Sequence, residues 1–123
     1  MNDQLKQKLE ENGADVEGTL HRFMGNGALF LKFLVKFKDD QNFVLLRDSI
    51  EQKDYEEAFK AAHTLKGVSA NLGLTPICDS ASKLTELFRG KAASEIDVEK
   101  VAQEKEALEA SYQLFMKIIE ENT

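Results

Sequence analysis

The sequence predicts an all-α fold: an antiparallel up-down bundle of four long helices, with one or two short additional helices on the N-terminal side. Three observations carry this. Apolar residues recur at spacings of 3 and 4 almost throughout, and no strict alternation persists long enough for a strand. One proline in 123 residues suits long helices. The links between the periodic segments are short and built on Gly and Asn, and short links favour antiparallel neighbours. One domain over 1–123 is expected, with its bundle core at about 27–121.

The elements follow in order. Residues 2–11 carry Leu5 and Leu9 at i, i+4, and Asn12-Gly13 ends that short helix because both residues tolerate a left-handed C-cap. Asp15 caps a second short helix that reaches about Met24, and Gly25-Asn26-Gly27 breaks the chain again. Residues 27–39 place Leu29, Phe30, Phe33, Leu34 and Phe37 on one face expected to be buried. Asp39-Asp40 then either kinks the helix or caps a continuation over 41–53, which carries Phe43, Leu46 and Ile50. Asp54-Tyr55-Glu56-Glu57 reads as a capping box opening a helix to Leu72, which Gly73 stops. Thr75-Pro76 reads as N-cap and N1 of the next helix, with Ile77, Ala81, Leu84 and Phe88 inward and Gly90 at its end. The last helix runs from about Asp97 to Glu121, with Val98, Val101, Leu108, Tyr112, Phe115 and Ile119 inward.

Composition narrows the function. Apolar residues are 42% and charged residues 31%, a globular balance. The net charge of −6 disfavours nonspecific nucleic-acid binding and anionic membranes, which need clustered Lys and Arg. The single cysteine, Cys78, forms no internal disulfide and no thiolate zinc site, and is expected to be a buried, inert thiol. The start is polar, without an apolar signal segment, and the apolar stretch at 28–37 is interrupted by Lys32 and Lys36. We expect a cytoplasmic, monomeric domain.

The segment 55–72 departs from a plain core helix. Tyr55, Ala58, Ala62, Leu65, Ser69 and Leu72 form its core stripe, with Phe59 and Val68 at the edges. At roughly 100° per residue, His63 lies about 120° from the stripe's centre, with Gly67 and Ala70 within about 40° of it and Lys66 within about 60°. Gly67 is costly inside a helix, by about 0.5–1 kcal/mol relative to Ala. Its presence reflects either close helix packing or simple tolerance, or clearance that leaves the imidazole open to a bulky partner. Lys66, one turn on, is either a solvated surface lysine or a cation placed to steady a phosphoryl group on the imidazole. The combination with His63 and Gly67 on one face favours the second.

Ala62-His63-Thr64-Leu65-Lys66-Gly67-Val68-Ser69-Ala70-Asn71-Leu72-Gly73-Leu74 resembles the signature of histidine-containing phosphotransfer domains, the carriers of multistep phosphorelays. The segment Asp15–Phe37, with its Gly-Asn-Gly break and aromatic-rich helix, is similar to what precedes that signature in the family. The resemblance implies a four-helix bundle with an exposed histidine that takes a phosphoryl group from a receiver-domain aspartate and hands it to another receiver. It implies His63 as phosphoacceptor, Lys66 as the stabilising cation and Gly67 as the space for docking. Ala70 and Asn71 then border the docking surface, and Arg89 adds positive charge nearby. Partners would be response-regulator receiver domains and hybrid sensor kinases, with Mg2+ held by the receiver and no cofactor or metal on this chain. Where some relatives place a glutamine that bonds the imidazole, this chain has Thr85, with Glu86 beside it. A hydrogen bond from Thr85, or a water, would serve instead.

Other constellations are weaker. His21 has no ligand spacing around it, and a di-metal bundle fails because Lys60 and Gly18 stand where its glutamates belong. Gly25-Asn26-Gly27 lacks the Lys and Ser/Thr of a phosphate loop, so no ATP site is expected. The alternative to a carrier is an interaction module that binds a receiver or kinase without carrying phosphate. A phosphatase-like helical regulator would need a water-orienting side chain that the sequence does not offer.

Overall fold

Side-chain oxygens set most of the helix starts. Asn2, Asp15, Asn26, Asp54 and Asp97 each accept a hydrogen bond from the backbone N–H three residues on, satisfying a donor that a helix leaves free at its first turn. The computed structural model describes residues 1–123. In chain order the helices are α1 (Asp3–Glu11), α2 (Val16–Arg22), α3 (Gly27–Lys36), α4 (Asn42–Glu51), α5 (Tyr55–Asn71), α6 (Thr75–Phe88) and α7 (Val98–Asn122), with short 3-10 turns at Phe37–Asp39 and Ala93–Glu95.

Three local expectations change. The Asp54 box is half made: Asp54 accepts from the Glu57 N–H at 3.3 Å, but its own N–H goes to Ser49 O at 2.9 Å rather than to the Glu57 side chain. Thr75 is the first residue of α6 rather than its cap, and its hydroxyl donates to Gly73 O; Pro76 fits one place later because the first turn needs no N–H from it. The second helix stops at Arg22, and Met24 and Gly25 turn the chain with positive φ. Between α3 and α4 the chain breaks into two helices: the N-cap of α4 is Gln41, which makes no side-chain cap, and Asp40, one residue earlier, accepts on Oδ1 from Asn42 N and Nδ2, both at 2.9 Å.

Consecutive helices from α4 to α7 pack on one another. Tyr55 at the start of α5 stacks on Phe88 at the end of α6, as antiparallel neighbours require. The ring of four closes between α4 and α7, where Phe43 and Tyr112 stack at 4.1 Å and Lys105 meets Glu51 at 3.5 Å. One cluster of 24 buried apolar residues fills the interior. It includes Leu5, Leu9 and Val16, so α1 and the start of α2 share the core. Asn2 ties α1 to the end of α7 through Asn122 O, and Lys6 pairs with Glu17 at 2.6 Å across α1 and α2.

The apolar stripe of α3 is only partly inside. Phe30, Leu34 and Phe37 are buried, whereas Leu29 and Phe33 are 36% and 40% exposed, because α3 lies beside the bundle and is covered on one flank. Val98 is exposed because it opens α7 at the end of the bundle. Cys78 is half-buried rather than enclosed. No helix is long and apolar enough to cross a membrane.

Candidate functional site

The site helix α5 is held at its C-terminal end by α2. Asp15 N donates to Gly73 O at 2.8 Å. Gly73 has φ +72, and a Cβ there would overlap Thr19 Oγ1 and crowd Asp15 O, so the turn after α5 needs glycine for both conformation and contact. Arg22 completes the clamp. Its Nη2 donates to Ala70 O at 2.9 Å, Asn71 O at 3.2 Å and Thr19 Oγ1 at 3.1 Å, reaching the Asn71 carbonyl that the helix end leaves free and adding to Ala70 O, which already accepts from Gly73 N at 3.1 Å. Arg22 is 48 and 49 residues from those partners, and no spacing rule links them in the sequence.

Clamped in this way, α5 turns its small and apolar residues Ala58, Ala61, Ala62, Leu65 and Ser69 inward, all buried. Ser69 spends its hydroxyl on Leu65 O at 2.7 Å, so the one polar group of that stripe is satisfied within the helix. The opposite face carries His63, Gly67, Ala70 and Asn71, all exposed, and Lys66, half-buried and without an ion pair. A Cβ built on Gly67 meets nothing within 4 Å, so the glycine faces open space rather than a packed neighbour. Asn71 and Val68 line a groove of about 210 Å³ with Phe33 and Lys36 of α3, which extends the exposed face sideways.

Arg89, at the end of α6, joins this face from its other end. Its guanidinium lies 5.3 Å from the centre of the Phe59 ring, and Phe59 stacks on the His63 ring at 6.0 Å and 20°. The Arg89 charge is shared with Glu86, whose two oxygens lie 3.1 and 3.3 Å from Nε, so Arg89 supplies less free positive charge than its position promises. The same pairing occupies Glu86. Thr85 is fully buried and its hydroxyl donates to Ala81 O at 2.8 Å, which removes it as a hydrogen-bond partner for His63. No group of the chain hydrogen-bonds either nitrogen of that imidazole. The sequence pattern places Phe59 at the edge of the core stripe; its i, i+4 spacing from His63 is the signal that links the two rings. His21 is exposed on α2, away from these residues in the chain, and no three His, Cys, Asp or Glu side chains gather as a metal site.

Fold and site together define an all-α bundle that presents one histidine on an open helix face. The model of the Hpt domain family matches residues 36–114, from the end of α3 through most of α7. The chain belongs to the Hpt domain family, phosphocarriers that work with receiver domains and kinases in phosphorelays. Comparison with curated proteins and with solved structures returned no match.

Proposed function

We propose that this protein relays a phosphoryl group between receiver-domain aspartates, with His63 as the carrier residue. The observation that carries the reading is the α5 face itself: an exposed histidine, a half-buried unpaired lysine three residues on, and an open glycine four residues on. In the forward step the Nε2 lone pair of neutral His63 attacks the phosphorus of a receiver's aspartyl phosphate. The N–P bond forms as the O–P bond breaks, and the electron pair leaves on the aspartate carboxylate. The receiver supplies the metal ion and most of the charge stabilisation that phosphoryl transfer needs. Lys66 steadies the phosphoryl oxygens once they sit on the ring. The return step passes the group to a second receiver by the same path reversed.

Gly67 and Ala70 keep the approach to the imidazole low, and the Asn71 groove with Phe33 and Val68 gives the receiver an apolar edge to rest on. The chain contributes position and one cation; the chemistry at phosphorus is completed by the partner. The testing experiment is incubation with receiver domains phosphorylated by acetyl phosphate, followed by mapping of the adduct by mass spectrometry. An acid-labile, base-stable phosphoryl group on His63, absent in His63→Gln, is expected. Receiver binding without any adduct would instead make the bundle an interaction module.

A further inference from the structure

We infer that Phe59 is the positioning residue of this site: its ring orients the His63 imidazole and stabilises the positive charge that gathers on it during transfer. The inference rests on the reading of His63 as phosphoacceptor.

An exposed histidine turns about two side-chain bonds, and only part of that range presents Nε2 outward along the line of attack. A fixed nucleophile needs a contact that selects one ring orientation. The neighbouring helix provides no hydrogen bond for this, since Thr85 is buried and bonded to Ala81 O. The stacked contact is what remains. At 6.0 Å between centroids and 20° between planes, the Phe59 and His63 rings fall in the range of offset aromatic pairs. The helix enforces their pairing, because residues four apart stand on the same face.

Phe59 is itself held. It is half-buried against the core, and the Arg89 guanidinium rests on its ring at 5.3 Å. Glu86 holds Arg89 in turn. The four side chains form a row from α6 to α5 that ends on the imidazole.

The row also suits the chemistry. When Nε2 bonds to phosphorus and the O–P bond breaks, the proton stays on Nδ1 and the ring acquires imidazolium character. An aromatic face attracts a cation. The contact is therefore stronger in the transition state than before it, which is the condition for raising a rate. Arg89 does not cancel this, because Glu86 offsets its charge.

The test uses the full chain. In the wild type, NMR should show nuclear Overhauser contacts between the Phe59 ring and the His63 ring protons, with the latter shifted by the neighbouring ring. Their absence would overturn the inference whatever the variants do. Phe59→Leu keeps an apolar side chain and removes the ring; Phe59→Tyr keeps the ring. With a receiver phosphorylated by acetyl phosphate as donor, Phe59→Leu should lower the single-turnover rate at saturating donor by about three- to tenfold. The half-saturating donor concentration should stay unchanged, and the His63 shifts should move to those of a free imidazole. Phe59→Tyr should restore both rate and shifts. An unchanged rate in Phe59→Leu, or a rise in half-saturation alone, would make Phe59 a structural or docking residue and overturn the inference. His63→Gln runs beside these variants: labelling that persists in it overturns the phosphoacceptor reading itself, whereas labelling lost there with Phe59→Leu unaffected sinks only the role of Phe59.

Discussion

Gly67→Ala should make this protein more stable and a worse carrier, two effects that a merely tolerated glycine would not couple. The stability half follows from the helix. Gly67 lies inside α5, and an added Cβ meets nothing within 4 Å. The gain in helix propensity, about 0.5–1 kcal/mol, is then not offset by a clash. At an unfolding entropy of about 2.1 cal/mol/K per residue, that raises Tm by roughly 2–4 °C for a chain of this length. The transfer half follows from the open space. If a receiver fills it, an added side chain overpacks a fitted contact, at a cost of about 1–3 kcal/mol. That is about five- to 140-fold in affinity. Alanine should fall at the low end and Gly67→Gln at the high end. Thermal melts by circular dichroism and single-turnover transfer from a phosphorylated receiver measure the two halves. A lower Tm for Gly67→Ala would show that the position is not open. Transfer at the wild-type rate by Gly67→Gln would show that clearance has no role.

Further outcomes follow from the same geometry. Lys66→Ala should leave the fold intact and shorten the lifetime of the phosphorylated protein at neutral pH, followed by loss of label with time; an unchanged lifetime and transfer rate would remove Lys66 from the site. Arg22→Ala loses bonds to Ala70 O, Asn71 O and Thr19 Oγ1, so urea unfolding should show a loss of about 1–2 kcal/mol, with faster amide exchange in the last turn of α5. Equal exchange there in variant and wild type would mean that the clamp does not hold that turn. Tyr112 has its pKa raised above the ordinary 10.0 by burial and then by Asp40, so folding favours its protonated form. That contribution is fully present below 10.0 and is lost as pH rises through the folded-state value. Lys6 shifts the same way, through its hydrogen bond to Glu17 and then that carboxylate's charge, so the comparison must be with Tyr112→Phe. Denaturant unfolding above pH 10 should show the wild type losing more stability than the variant; parallel losses would remove Tyr112 from the account.

What could be read in the sequence divides along physical lines. Caps are local chemistry, and Asp15 and Asp54 open the helices that their side chains predict. A turn of 100° per residue is also local, so the shared face of His63, Gly67 and Ala70 is legible without a structure. Periodicity shows that a face is apolar but not what covers it, which is why Leu29 and Phe33 come out more exposed than their spacing suggests. Thr85 illustrates a similar gap: a threonine in a helix can satisfy itself on the carbonyl four residues back, and only packing decides that it does. The Arg22 clamp and the Arg89 contact with Phe59 join residues far apart in the chain, and no pattern within one helix encodes them.

The central claim is that phosphate passes through His63. Reconstitution of the two-step relay tests it most directly: one receiver labelled on its aspartate, this protein in substoichiometric amount, and a second receiver as acceptor. The account predicts label appearing first on this protein and then on the second receiver, with both steps lost in His63→Gln while its melting curve matches the wild type. Label reaching the second receiver equally well through His63→Gln would contradict it.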